Sequence, residues 1–122
     1  MILAFNPKFV EPILSGSKIH TLREDKPNRW GGGRIINFAT GVRTPQYKQF
    51  YLSTCTGKQS IYIDPVKKEV RLILPGGQRY PFRDAEIEEL SKNDGFNTVQ
   101  EFWEWFDTPF WGQIIHWTFY RY

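Results

Sequence analysis

Residues 50–74 read FYLSTCTGKQSIYIDPVKKEVRLIL. Within them Phe50–Thr56, Gln59–Asp64 and Glu69–Leu74 are strand-length runs that alternate or run apolar and are rich in β-branched and aromatic side chains, the pattern of chain lying in a sheet. Thr56-Gly57-Lys58 and Asp64-Pro65-Val66-Lys67-Lys68 separate them with residues suited to turns. Three consecutive antiparallel strands are expected here, and the remaining segments are read outward from them.

Downstream, Pro75-Gly76-Gly77 supplies another turn and Gln78–Phe82 a short edge strand, after which Asp84 caps a helix running to about Lys92. Asn97 or Thr98 caps a further helix with Val99, Phe102, Trp103 and Phe106 as its apolar stripe. Gly112 ends the irregular stretch Asp107–Trp111, and Gln113–Arg121 closes the chain as a strand with Ile115, Trp117 and Phe119 on one face. Upstream, Met1–Phe5 reads as the first strand. Asn6-Pro7 is an N-cap followed by proline at the first helical position, Phe9, Val10, Ile13 and Leu14 recur at helical spacing, and Gly16 is a left-handed stop. Lys18–Arg23 and Arg34–Thr40 are strands flanking the long polar loop Glu24–Gly33. At least five strands with short helices predict an α+β fold, a closed or nearly closed mixed β-barrel of five to seven strands with helices at its rims.

At 122 residues there is apolar surface for one core, so a single domain over residues 1–122 is expected. Aromatic residues reach 17%, above average usage, and argue against disorder. No run of eighteen apolar residues and no basic-then-apolar leader pattern occur, which points away from a membrane and toward the cytoplasm. The single cysteine, Cys55, suits a reducing compartment and reads as core filler. With two histidines, His20 and His116, and that one cysteine there is no convincing metal-ligand set, and no cofactor is implied. Residues 1–83 carry 14 Lys/Arg against 5 Asp/Glu, whereas residues 84–122 carry 2 against 8. That asymmetry suits a polyanion partner at one face, or two halves that neutralise each other within one fold.

Three stretches carry a family resemblance. Pro7-Lys8-Phe9 through Ile13-Leu14-Ser15-Gly16-Ser17-Lys18 and on to Thr21-Leu22-Arg23 resembles the opening motif of the ASCH (activating signal cointegrator homology) domains, relatives of the PUA fold. Asp94-Gly95-Phe96 with Glu101-Phe102-Trp103, and Ile114-Ile115-His116-Trp117-Thr118-Phe119, are similar to that family's second half, in order. The resemblance implies a PUA-like β-barrel with a central cleft for RNA or other nucleic acid, and in some small bacterial members hydrolysis of N4-acetylcytidine. Lys18 and Thr21 match the family's Lys-x-x-Thr, implicated there as activating base and nucleophile, and Arg23 matches a cleft arginine. Asp94 falls where the hydrolases carry a catalytic glutamate. Its carboxylate is one methylene shorter and sits about 1.5 Å back from the target, enough to weaken catalysis.

The chemistry is consistent with those assignments. A threonine hydroxyl is a poor nucleophile until a base takes its proton, and a lysine can do so if burial or a neighbouring cation such as Arg23 or His20 lowers its pKa. On a regular strand Lys18 and Thr21 point to opposite faces, so their cooperation requires Lys18 to lie in the turn after Gly16 or a bulge between them, and the turn is expected. Read as a binding site, Lys18, Thr21 and Arg23 meet a base and its phosphates; read blandly, they are a solvated strand face. Asp94 either caps a turn or accepts a hydrogen bond from an exocyclic amine or from Lys18.

Trp30, beside Arg29, Arg34 and Gly31-Gly32-Gly33, suits stacking on a base or anchoring the loop. Lys58 and other lysines suit phosphate contacts or plain solvation. His116 suits a barrel-interior ligand contact or a structural hydrogen bond. The expected ligand is thus RNA, single-stranded nucleic acid or a modified nucleoside in a basic cleft. The alternatives are an amidohydrolase acting through Lys18, Thr21 and Asp94, and a protein-interaction module built on the aromatic carboxy-terminal third.

Overall fold

The computed structural model describes residues 1–122. Eight strands and three short helices form an α+β fold: β1 (Ile2–Ala4), α1 (Val10–Ser15), β2 (His20–Arg23), β3 (Ile35–Thr40), β4 (Lys48–Thr54), β5 (Gly57–Asp64), β6 (Glu69–Ile73), β7 (Arg79–Pro81), α2 (Asp84–Asn93), α3 (Val99–Trp105) and β8 (Phe110–His116). A 3-10 turn at Pro7–Phe9 leads into α1, with Asn6 Oδ1 accepting from the Lys8 N–H at 3.0 Å and Gly16 ending the helix at φ 86°. The proline and glycine punctuation of the sequence is therefore used as its chemistry suggests.

The strands divide into two sheets, β1-β3-β4 and β2-β8-β5-β6-β7, instead of one closed sheet of five to seven strands. The predicted antiparallel trio also divides. β5 and β6 pair antiparallel, but β4 belongs to the other sheet, because the chain turns a corner at Cys55-Thr56 and not at a hairpin. Cys55 still pairs with the first sheet, donating to the Arg34 carbonyl at 2.7 Å and accepting from Gly33 N–H at 2.8 Å. The next amide, Thr56 N–H, donates to His116 O in the second sheet at 2.9 Å. Thr56-Gly57-Lys58 is thus the start of a strand, and the buried Cys55 is the hinge of the architecture.

The closing strand differs too. β8 spans Phe110–His116 and pairs with β2 on one side and β5 on the other, so Gly112 lies inside it and Trp117 and Phe119 lie beyond it. Trp117 instead packs edge-on against Phe5 and Phe38. Gly112 is required by the ladder, since a Cβ there would stand 2.6 Å from the Arg23 carbonyl oxygen and closer still to the Phe110 ring.

One continuous core of 21 buried apolar residues serves both sheets and the helices, with Ile36, Phe38, Cys55, Ile61, Ile63, Leu90, Phe102, Ile114 and Ile115 fully buried. Of the predicted α3 stripe, Phe102 and Phe106 are buried, while Val99 lies at the surface. The α2 helix begins one residue after Arg83, whose N–H is capped by the Glu86 carboxylate at 2.9 Å; Asp84, expected as the cap, is its first residue. No helix is long and apolar enough to cross a membrane.

Gly112→Ala is expected to force β2 and β8 apart and cost about 1–3 kcal/mol, the usual penalty of overpacking a fitted site. A urea midpoint unchanged from the parent protein would contradict this account of the ladder.

Candidate functional site

One edge strand of each sheet lies beside the other across an unpaired seam. β1 is an edge of the first sheet and β2 an edge of the second, β4 and β7 being the opposite edges. No backbone ladder joins them; instead the Arg23 guanidinium crosses the gap and donates through Nη2 to the Ala4 carbonyl. A cleft of about 480 Å3 opens along this seam. Its polar lining includes Lys18, Thr21, Arg23, Glu24 and Asp94, and its apolar walls include Phe5, Phe9, Trp105, Phe106 and Phe110.

Lys18 and Thr21 share this cavity because Lys18 is not on the strand. It lies in the irregular segment after Gly16, its N–H bonded to Pro12 O at 2.9 Å, and β2 begins only at His20. Freed from the alternation of a pleated strand, its side chain reaches the face that Thr21 and Arg23 occupy. Lys18 is 2% exposed and its ammonium donates to the Asp94 carbonyl at 2.6 Å and to Asp94 Oδ1 at 2.9 Å, with the Phe9 ring 4.6 Å away. Burial lowers the Lys18 pKa, and the Asp94 charge and hydrogen bond oppose that shift.

Asp94-Gly95-Phe96 is a helix ending. Phe96 N–H bonds to Ser91 O and Gly95 N–H to Lys92 O, each at 3.0 Å, with Gly95 at φ 94°, the Schellman pattern. The motif thus aims Asp94 off the end of α2 at Lys18. Gly95 leaves room for the lysine stem, as a Cβ there would lie 3.0 Å from Lys18 Cδ. Being at a helix C-terminus, the Lys18 cation also meets the negative end of the helix dipole.

Behind Asp94 stands a relay in which His20, expected only as a neighbouring cation, is the central member. His20 Nδ1 lies 3.3 Å from Asp94 Oδ1, His20 Nε2 lies 2.5 Å from the Tyr122 hydroxyl, and Asn93 Nδ2 donates to that hydroxyl at 3.1 Å. In one direction Tyr122 donates to Nε2 and Nδ1–H donates to Asp94, which needs a neutral imidazole. Burial pushes the His20 pKa down, against the pull of Asp94, in keeping with that state. The relay was hidden in the sequence because its members lie at positions 20, 93, 94 and 122, with no local spacing to connect them.

The Thr21 hydroxyl accepts from Arg23 Nε at 3.2 Å, leaving its proton free to donate into the cleft. No hydrogen bond links it to Lys18. Asp94 Oδ2 and Arg23 Nη1 have no protein partner, so the site offers one carboxylate acceptor and two donors to a ligand. Of the two cations, Lys18 is matched inside the cleft by Asp94, while Glu24 at its edge is exposed and pairs with Lys26 at 3.6 Å.

The other binding candidates lie elsewhere. Trp30 is 4% exposed and part of the core, so its indole anchors the loop and offers no stacking face. Lys58 is engaged by that loop: it pairs with Asp25 Oδ2 at 3.0 Å and also bonds Asn28, while Asp25 accepts the Arg29 and Trp30 amides. Burial alone would raise the Asp25 carboxyl, but those partners outweigh it and hold it below the usual range. Arg34 is exposed, outside the cleft lining. His116 is fully buried, 2.9 Å through Nε2 from Gln59 Oε1, with Nδ1 unpaired and the ring 5.6 Å from His20.

No three His, Cys, Asp or Glu side chains come together as a metal site. The three tryptophans of the carboxy-terminal third go separate ways: Trp103 packs on Phe102, Trp105 on Phe9 and Phe96, and Trp111 on Tyr62. No protein-family model, curated protein or solved structure matches the chain.

Burial, with His20 and Arg121 nearby, pushes the His116 pKa down to about 3. Its folded pKa thus lies below the ordinary 6.5, so the unfolded chain binds the extra proton first. The stability it contributes is complete above pH 6.5 and is lost as the pH falls toward 3. NMR of the His116 ring should show a neutral imidazole from pH 8 to pH 5; titration near 6.5 would refute the burial argument.

Proposed function

We propose that this chain is a nucleic-acid-binding domain of the ASCH type, its two sheets wrapping as a PUA-like barrel left open at the seam, and that the cleft accepts one base of RNA or a modified nucleoside. The observation that carries the reading is the cleft's composition: unpaired hydrogen-bonding groups beside the Lys18–Asp94 ion pair, between aromatic walls. A cytosine-like edge presents an amine donor beside ring-nitrogen and carbonyl acceptors. Asp94 Oδ2 complements the amine, and Arg23 Nη1 and the Thr21 hydroxyl complement the acceptors. Trp105, half exposed, supplies a stacking surface. The volume falls in the range of small-ligand sites, roughly 300–1,000 Å3, and suits a single extruded base better than a duplex.

The burial of Lys18 favours a second reading, deacetylation of N4-acetylcytidine. Lys18, as the free amine, would take the Thr21 proton while Thr21 Oγ attacks the acetyl carbon; the C–N bond breaks, cytidine leaves with that proton, and water then hydrolyses the threonyl ester to acetate. In the resting arrangement the Lys18 ammonium donates to Asp94 and has no bond to Thr21, so binding is the primary reading. A protein-interaction role would rest on Trp105 and Trp111, each about half exposed but packed on different neighbours, Phe9 and Tyr62.

Titration calorimetry with cytidine, N4-acetylcytidine and short single-stranded RNA tests both readings. Thr21→Val and Arg23→Ala should each weaken binding on the order of tenfold, as loss of a hydrogen bond of about 1–2 kcal/mol requires. Lys58→Ala should leave it unchanged. Folded protein that binds none of the three probes would end the cleft reading, and absence of acetate release from N4-acetylcytidine would end the hydrolase reading alone.

A further inference from the structure

Ala4 lines the seam cleft on one side and, on the other, an open groove of about 940 Å3. The groove is bounded by Ile2, Arg29, Val42, Arg43 and Tyr47 among others, and its only charged side chains are the two arginines. Some cations elsewhere are matched, Lys18 with Asp94, Lys58 with Asp25 and Arg71 with Glu69, while others such as Arg34 and Lys48 also lack an ion pair; what distinguishes the groove is that two such cations line one cavity with no carboxylate. The guanidinium groups of Arg29 and Arg43 form no ion pair and no hydrogen bond with the protein, although both are held on well-braced backbone. Arg29 N–H donates to Asp25 Oδ1 at 2.9 Å. Arg43, at φ 65°, rides a turn closed by Thr44 N–H to Gly41 O at 3.0 Å and by the Thr44 hydroxyl to the same oxygen at 2.6 Å. Tyr47 is 45% exposed beside them.

The charges of the two cavities are complementary in use. In the cleft Lys18 is matched by Asp94 and Arg23 is engaged by the Thr21 hydroxyl and the Ala4 carbonyl, which makes it a poor seat for a phosphate and a fitting one for a neutral base. The adjoining groove has the opposite character, two unmatched guanidiniums without a carboxylate, which suits phosphate oxygens. It is also larger than one phosphate needs, with an aromatic side chain available for a second base.

We propose that cleft and groove form one extended site for a single strand of nucleic acid: a base enters the seam, the adjacent phosphate lies between Arg29 and Arg43, and the neighbouring base stacks on Tyr47. This rests on the nucleobase reading of the cleft and names the ligand class as a strand, not a free nucleoside. A single strand suits the site better than a duplex, because the seam takes a base only after it has left its stack.

The test compares an RNA trinucleotide carrying cytidine in the middle, the same trinucleotide with an abasic middle position, and free cytidine, using the full chain and an Arg29→Ala/Arg43→Asn double variant. Asparagine tolerates the left-handed backbone at position 43, and both side chains are exposed, so the variant should melt like the parent. The parent should bind the trinucleotide at least tenfold tighter than cytidine, and in the variant that ratio should fall to within about twofold. The salt dependence of trinucleotide binding should flatten by roughly 0.7 log units per log unit of salt for each phosphate that the variant no longer neutralises. A parent with no preference for the trinucleotide, or a variant that keeps the preference, overturns the extended site while cytidine binding leaves the cleft reading standing. Equal affinity for the abasic strand overturns the cleft reading and the extended site together.

Discussion

A buried ammonium has to be matched inside the protein, because removing it from water without a partner costs several kcal/mol. Lys18, at 2% exposure, is matched by the carboxylate and carbonyl of Asp94. Around that pair the local structure is arranged: the Gly16 stop that takes Lys18 off the strand, the Schellman ending that delivers Asp94 from α2, and the glycine that leaves space for the lysine stem. Among the lysine and arginine ion pairs, Lys18 with Asp94 is the only one that joins the basic first two-thirds to the acidic remainder across a long stretch of chain. Most of the charge asymmetry is therefore left on the surface, including the two arginines of the groove.

The relay of Asn93, Tyr122 and His20 adds direction to this pair. With Tyr122 donating to one imidazole nitrogen and the other donating to Asp94 Oδ1, that oxygen is shared between His20 and Lys18, and Oδ2 is left for the cleft. Burial raises the Tyr122 phenol and lowers His20, and both shifts keep the relay uncharged. A neutral support behind a charged pair adds no further charge to be desolvated at the site.

The seam itself follows from how the sheets are joined. They are continuous through the corner at Cys55-Thr56, where consecutive amides pair with different sheets, and unjoined at β1 and β2, where Arg23 alone crosses. An unpaired edge is ordinarily a liability. Here the cleft lies along both edges, where β2 contributes Thr21 and Arg23, and the segments flanking the seam contribute Lys18 and Asp94.

Local chemistry made much of this legible in the chain. Proline, glycine and side-chain caps marked α1 and α3, period-two runs marked most strands, and the opposing faces of Lys18 and Thr21 on a regular strand pointed to the turn in which Lys18 is found. Those features depend on neighbours a few residues apart, and a sequence carries that information directly. What only the tertiary structure decided was pairing over long separations: which sheet receives β4, that Gly112 lies within a strand, that Trp30 is buried and Lys58 is tied to Asp25, and that residues 20, 93, 94 and 122 meet. Burial is the reason, since whether an aromatic ring or a cation faces solvent or core is set by what the rest of the chain packs against it, and no local spacing encodes that.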